Sequence, residues 1–187
     1  MTSPRSALAG TQFVIKAAHF AAVKHVRQKR KGAAAEPYLN HLIEVADLVA
    51  NSLAEPDPDL VAAALLHDTV EDTGTTRAEL QEAFGTDVAD LVAEVTDDKS
   101  LPDAERKRRQ VEHAPHLSVR AQRIKLADKI SNLRGILDSP PQGWDQDRKR
   151  KYFLWGQQVV AGLTSPDPAL LAEFHSVCRR FDEQFGN

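Results

Sequence analysis

The 187-residue chain carries 24 Lys and Arg against 27 Asp and Glu, a formal net charge of -3, and is 42% hydrophobic. That balance describes an ordinary soluble globular protein with material for one core, and it excludes a disordered chain, a globally basic nucleic-acid binder and a second catalytic domain. The single cysteine, Cys178, excludes an intramolecular disulfide and a cysteine-rich zinc module, and suits a reducing compartment as a packed apolar residue.

The segment Met1 to Gly10 lacks the apolar stretch of a signal peptide, and the longest apolar run, Val61 to Leu66, is far too short to span a bilayer. The expectation is a cytoplasmic protein with no membrane association. Phe13, Ala17, Phe20 and Ala21 recur at helical spacing before the basic segment Arg27 to Gly32 and a short loop. Pro37 suits a first helical turn, and Leu42, Val45, Ala46, Val49 and Leu53 form one stripe of the helix that follows, closed by Glu55-Pro56. Asp57 as N-cap with Pro58 behind it opens the next helix, which Thr73-Gly74 stops. Thr76-Arg77-Ala78-Glu79 is a capping box for a short helix ended by Gly85, and Val88, Leu91, Val92 and Val95 then repeat at helical spacing. The charged stretch Asp103 to His113 reads as a solvated helix or a mobile flap. Ser118 caps the helix Val119 to Leu137, whose main apolar stripe is Leu126, Ile130, Leu133 and Leu137. A final helix pair carries Tyr152, Trp155, Val159 and Leu163, then Leu171, Phe174, Cys178, Phe181 and Phe185 after an Asp167-Pro168 start. No segment alternates as a strand does, so the fold class is all-α, with no internal repeat or low-complexity tract.

Chemistry concentrates at His67-Asp68-Thr69-Val70-Glu71-Asp72, which follows the apolar run Val61 to Leu66. A continuous helix would set His67 below Glu71 and Asp68 below Asp72, two acid-bearing columns side by side. Acidic groups at a helix C-terminus oppose the macrodipole, and burial makes them costly unless they are paired or coordinated, so the cluster invites a divalent cation. The alternative is a frayed, solvated acidic helix end. On the helix Val119 to Leu137, Lys125, Asp128 and Asn132 share a narrow sector flanked by Ile124 and Ile136. Such a seam faces an internal cleft or, with equal weight, bulk water. His41 lies at the edge of its helix's apolar stripe beside Val45, where a lone histidine is more often a core residue than a ligand. Together, His41, His67, Asp68 and Asp128 supply two imidazoles and two carboxylates, a set without thiolate that suits Mn²⁺, Fe²⁺ or Zn²⁺. Such donors with open positions favour hydrolysis, because a cation so held acidifies water and polarises a phosphoryl oxygen.

The pattern His…His-Asp…Asp resembles the HD phosphohydrolase superfamily. Pro37-Tyr38 to His41, Ala64-Leu65-Leu66-His67-Asp68-Thr69-Val70-Glu71-Asp72-Thr73, Phe84-Gly85 and Val95-Thr96 narrow the likeness to the hydrolase domain of the RelA/SpoT family. Phe20-Ala21-Ala22, Lys24-His25, Lys125-Leu126-Ala127-Asp128-Lys129 and Asn132-Leu133-Arg134 do the same. The single-domain branch, the small alarmone hydrolases that include the metazoan SpoT homologues, is the most similar. The resemblance covers roughly residues 13–163, and implies one HD domain over 1–187, a helical bundle with a metal site between helices and a C-terminal helix at 168–185.

The resemblance further implies that His41, His67, Asp68 and Asp128 hold one Mn²⁺ per subunit, and that Glu71 and Asp72 are the catalytic acidic pair that activates water. Asn132 matches a residue of the nucleotide pocket, and Arg30 and Lys31 match the pair that contacts the purine, where a guanidinium can stack on a ring. Lys99, Lys107, Arg148 and Tyr152 fall where a polyanionic substrate needs cations and a ring. Arg148-Lys149-Arg150-Lys151 spreads its charges around a helix, as a solvated face does and a nucleic-acid patch does not. The implied activity is hydrolysis of guanosine 3′,5′-bis(diphosphate) and its pentaphosphate relative at the 3′ position, on a small-molecule nucleotide; the family's synthetase and regulatory domains have no room in this length. A homo-oligomer is left open. Rival readings on the same residues are an adenosine alarmone hydrolase, an NADPH 2′-phosphatase, and a nucleotide-binding regulatory module without activity. Asp103 stands where relatives can carry lysine, which bears on substrate choice, and Leu42 follows His41 where many relatives have proline.

Overall fold

The computed structural model describes residues 7–185, and among them every regular element is helical. The elements are α1 (Ala7–Lys24), α2 (Leu39–Asn51), α3 (Pro58–Leu66), α4 (Thr69–Thr73), α5 (Arg77–Phe84), α6 (Thr86–Val95), α7 (Asp103–His113), a 3-10 turn (Ala114–His116), α8 (Val119–Asp138), α9 (Gln146–Ala161) and α10 (Pro168–Phe185). Met1 to Ser6, part of the segment read as lacking a leader, lie outside the described residues, as do Gly186 and Asn187. None of the described helices is long and apolar enough to cross a membrane.

Two helices organise the packing. The first is α3, only nine residues long, against which α1, α2 and α6 all pack. Its Ala62, Ala63 and Ala64 are fully buried, and three methyl side chains in succession let neighbouring backbones approach closely. The second is α8, which takes α2, α6, α9 and α10 around it. Leu126, Ile130 and Leu133 on α8 have no exposed surface, so truncating any one to alanine costs about 2–5 kcal/mol. Phe84 closes the α1 side by edge-on contacts with Phe13 and Phe20, and Phe153 stacks on Phe181 where α9 meets α10. Cys178 is a buried free thiol in this last layer.

Local chemistry sets the helix ends. Asp57, Thr76, Ser118 and Asp145 each accept a hydrogen bond from a first-turn N–H, satisfying donors that the helix cannot. The box at Thr76 is half made: Glu79 turns outward to Lys24 at 2.7 Å. Pro37 does not enter α2; it forms an isolated bridge with Lys29, and α2 begins at Leu39. The larger departure lies at the acidic cluster. The helix through Val61 to Leu66 does not run on to Asp72; it stops at Leu66, and the chain restarts as α4 after His67 and Asp68. Side chains cause the break, since the His67 ring bonds Ala64 O at 2.8 Å and the Thr69 hydroxyl donates to Leu66 O. Gly74, at φ 74°, then ends α4 in the left-handed conformation that a glycine adopts without strain.

The segment 103–113 is a helix, α7, with no buried residue. Polar ties hold it: Trp155 Nε1 donates to Lys107 O at 3.1 Å, and Gln110 Nε2 bonds Asp97.

Candidate metal centre and cleft

The break after α3 turns His67 and Asp68 towards the inner faces of α2 and α8. One ligand atom from each of His41, His67 and Asp128 lies within 4.8 Å of the others, and all three residues are buried. His41 Nε2 stands 3.3 Å from Asp128 Oδ1 and 3.5 Å from Asp68 Oδ2; His67 Nε2 stands 3.1 Å from Asp68 Oδ2 and 3.7 Å from Asp128 Oδ1. These separations suit nitrogen and oxygen donors that share one cation.

The rings are already committed at their other nitrogens. His67 Nδ1 donates to Ala64 O, and His41 Nδ1 meets Ser131 Oγ at 2.8 Å, whose own hydroxyl donates to Glu44 at 2.6 Å. Among the described residues both Nε2 atoms are buried without a hydrogen-bond partner, although carboxylate oxygens stand close by. Two buried, oriented imidazole nitrogens aimed at a shared point between carboxylates are the signature of a ligand set, so the residues fit a divalent cation.

Electrostatics agree with the geometry. Burial favours the neutral His67 ring, yet Asp68 and Asp128 outweigh it and lift the imidazole to about 10. Burial opposes the charge of Asp68 as well, but His67 and His41 hold its carboxyl well below the usual range. Asp128 is likewise held low against burial by Lys129 and both imidazoles. The residues would hold a divalent cation in place of the His67 proton as the positive partner of these two carboxylates. Each carboxylate has one oxygen restrained further: Tyr38 OH donates to Asp68 Oδ2 at 2.5 Å, and Lys129 approaches Asp128 Oδ2 at 3.1 Å.

Glu71 and Asp72 stand on α4, one turn beyond. Burial, followed by the charges of Asp68 and Asp97, pushes the Glu71 carboxyl up to about 7, although Asp97 N–H donates to it at 3.2 Å. Asp72 accepts from Gln28 Nε2 at 2.6 Å on one oxygen and from Lys99 on the other. Both face a cleft of about 820 Å³, within the range of roughly 300–1,000 Å³ usual for small-molecule sites.

Every predicted substrate residue lines that cleft: Arg30, Lys31, Lys99, Lys107, Asn132, Arg148 and Tyr152. Ten Lys and Arg against seven Asp and Glu surround it in a chain of net charge -3, so cations concentrate around the acidic floor. Arg30 is docked on α8, donating to Ser131 O at 3.2 Å and Asn132 Oδ1 at 3.3 Å. Gly135 permits the dock, since a Cβ there would meet Arg30 Nη2 at 2.5 Å. Asn132 Nδ2 also holds Asp128 Oδ1 at 2.6 Å. Asp103 pairs with Lys107 at 3.1 Å and Arg106 at 3.2 Å, drawing both cations to itself. Of the basic run on α9, Lys149 and Arg150 turn to Phe185, while Arg148 and Lys151 reach the cleft.

Sequence reasoning missed several participants. Tyr38 lies three residues before His41 and Glu44 three after, spacings that share a helix face and could have drawn attention to both. Lys129 was hidden by its neighbour Asp128; it is 3% exposed and sits 4.3 Å from the Trp155 ring centroid. Gln28 and Ser131 carry no sequence signal of their own and are visible only through their partners.

A buried His/Asp cluster between helices defines a class, and residues 17–162 match the HD domain family model. The chain belongs to that family. It is 48% identical over 157 residues to the guanosine-3′,5′-bis(diphosphate) 3′-pyrophosphohydrolase MESH1 of Xenopus tropicalis, a match covering 84% of this chain and 88% of the relative. To the Homo sapiens MESH1 it is 51% identical over 150 residues, covering 80% and 84%. Its fold superposes with a TM-score of 0.86 on the solved structure of a metazoan SpoT ortholog that hydrolyses ppGpp, at 40% identity, covering 96% of this chain and 98% of that one.

Proposed function

We propose that the chain is a Mn²⁺-dependent 3′-pyrophosphohydrolase of guanosine 3′,5′-bis(diphosphate) and its pentaphosphate relative. The observation that carries the reading is the cluster of His41, His67 and Asp128, with Asp68 beside both imidazoles, next to the carboxylates of Glu71 and Asp72 at a cleft rich in cations. The relatives named for this reaction support the choice of substrate.

His41, His67, Asp68 and Asp128 would hold the cation, and their nitrogen and oxygen donors without thiolate suit Mn²⁺. Held there, a divalent cation would supply Lewis acidity for phosphoryl hydrolysis. The rest is work for the side chains. Glu71, ionised above about 7 before a nearby cation lowers that value, accepts a proton from water while Asp72 orients it. The water oxygen attacks the phosphorus joined to the 3′ oxygen, that P–O bond breaks, and the 3′ oxygen takes up a proton. Water is consumed, and pyrophosphate and GDP or GTP leave. Lys99, Lys107 and Arg148 hold the phosphates, while Arg30, Lys31 and Asn132 receive the base end of the nucleotide.

The test is a turnover panel with purified protein, Mn²⁺, guanosine and adenosine 3′-pyrophosphate nucleotides and NADPH, with products identified by mass. The expected result is pyrophosphate and GDP from the guanosine substrate at the highest kcat/KM. Recovery of every nucleotide intact defeats the reading.

A further inference from the structure

One buried histidine takes no part in the metal centre or the cleft. His25, at the C-terminal end of α1, is 3% exposed, and its Nε2 is buried without a partner. Its Nδ1 lies 2.6 Å from Gln28 Oε1, and Gln28 Nε2 donates at 2.6 Å to Asp72 Oδ2. The ring also stacks on Tyr38, with centroids 5.3 Å apart and planes 19° from parallel.

The hydrogen-bond inventory fixes the direction of this chain. An ionised carboxylate only accepts, so Gln28 must turn its amide nitrogen to Asp72 and its carbonyl oxygen to His25. His25 must then carry its proton on Nδ1, which leaves the Nε2 lone pair buried and unbonded. Leaving such an acceptor unsatisfied costs stability that an apolar ring in the same place would not. A fold that keeps this cost has something to gain from the Nδ1 donor. Burial, against the pull of Gln28 and the nearby carboxylates, lowers the pKa of the ring below its ordinary value, which keeps it neutral with one proton to give.

We infer that His25 is a positioning residue: through Gln28 it holds the Asp72 carboxylate in the rotamer that water activation requires. Without the donor, the Gln28 amide can flip or swing out, and among the described residues Asp72 keeps the side-chain bond to Lys99, a half-exposed flexible side chain. The inference rests on the hydrolase reading only for what Asp72 does; the relay itself is a matter of geometry.

Three variants separate the donor from the ring. His25→Phe keeps an aromatic ring against Tyr38 and removes the donor; His25→Asn loses the ring and places an amide N–H where Nδ1 stood; Gln28→Ala removes the middle link. The expected results are a fall in kcat of about 10- to 100-fold for H25F and Q28A. For H25N, kcat stays within about threefold of wild type. KM is unchanged in both His25 variants, since His25 does not line the cleft. The H25F/Q28A double variant is no slower than the worse single one, as members of one relay are not additive. Independently of turnover, hydrogen exchange of the Gln28 side-chain amide, followed by NMR, is slow in wild type and H25N and fast in H25F.

Equal loss of kcat in H25N and H25F overturns the inference, because the ring and not its donor then matters. Slow Gln28 exchange in H25F overturns it as well. If H25F does not fold, H25N and Q28A still decide, since Q28A must lose kcat while H25N keeps it. A wild-type protein inactive on every nucleotide defeats the functional reading, while the exchange comparison continues to judge the relay.

Discussion

The floor and the rim of the cleft are built on opposite principles. The floor consists of short side chains, His41, His67 and Asp128, buried on α2, on the turn after α3 and on α8, each locked by a further bond to Ser131, Ala64 or Asn132. The rim consists of long cations on exposed or half-exposed backbone, and several of them are paired with acids that belong to the same cleft, as Lys107 is with Asp103 and Lys99 with Asp72. A locked floor fixes the reaction, since ligands and proton acceptors tolerate little displacement. On the proposed reading, a rim of exchangeable ion pairs would gather the substrate, at energies that solvent screens.

That contrast breaks most sharply at Asp68. Asp68→Ala removes a proposed ligand and strands the Tyr38 hydroxyl, and the expected outcome is loss of stoichiometric Mn²⁺ binding by titration calorimetry together with loss of turnover. A variant that binds one Mn²⁺ and turns over at the wild-type rate removes the floor from the mechanism. Glu71→Gln comes next. It should bind the metal normally and lose about 10²- to 10⁴-fold in kcat, the usual worth of a positioned base. The sign of its pH dependence follows from the raised pKa: burial and the neighbouring carboxylates keep Glu71 protonated below about 7, so the rate rises with pH as the base forms. A bound cation favours the carboxylate and moves that acid limb lower. In E71Q the limb is absent, and a wild-type limb surviving in E71Q assigns the titration to another group.

Backing the floor, and not lining the cleft, is the relay from His41 through Ser131 to Glu44, which Arg134 ties to Glu173 on α10. Partners of metal-bound imidazoles are worth about 10- to 100-fold in metal affinity. Ser131→Ala should therefore weaken Mn²⁺ binding within that range while saturating metal restores much of kcat. Equal affinity in S131A makes the hydroxyl incidental.

Legibility in the sequence follows the same division. His41, His67, Asp68 and Asp128 stood out as candidates because His67 and Asp68 follow the apolar run Val61 to Leu66, His41 borders the stripe of α2 and Asp128 sits in a polar seam of α8, helices set by periodicity and caps at Asp57 and Ser118; the resemblance joined them into one set. The break between α3 and α4 could not be read. It depends on the His67 ring and the Thr69 hydroxyl capturing carbonyls of their own turn, a competition between side chain and backbone that periodicity does not see. Gln28 and Ser131 were invisible for a different reason: a neutral amide or hydroxyl acquires a role only from partners 44 and 90 residues away. At the rim, position was legible, as was the spacing that pairs Asp103 with Arg106 and Lys107 along α7, whereas the reach of Lys99 to Asp72 across 27 residues was not.

The smallest expected effect tests the rim itself. Arg148 is exposed, lies 4.6 Å over the Trp144 ring, and faces the cleft from the first turn of α9. If its work is long-range attraction for phosphates, Arg148→Ala should raise KM about two- to fivefold at low ionic strength and leave kcat alone. Added salt should erase the difference, since screening weakens wild type towards the variant. A salt-insensitive rise in KM, or a fall in kcat, means that Arg148 is held against the nucleotide as firmly as the floor is held against the metal. The rim would then contain a fixed contact, and the Trp144 ring beneath the guanidinium would be its anchor.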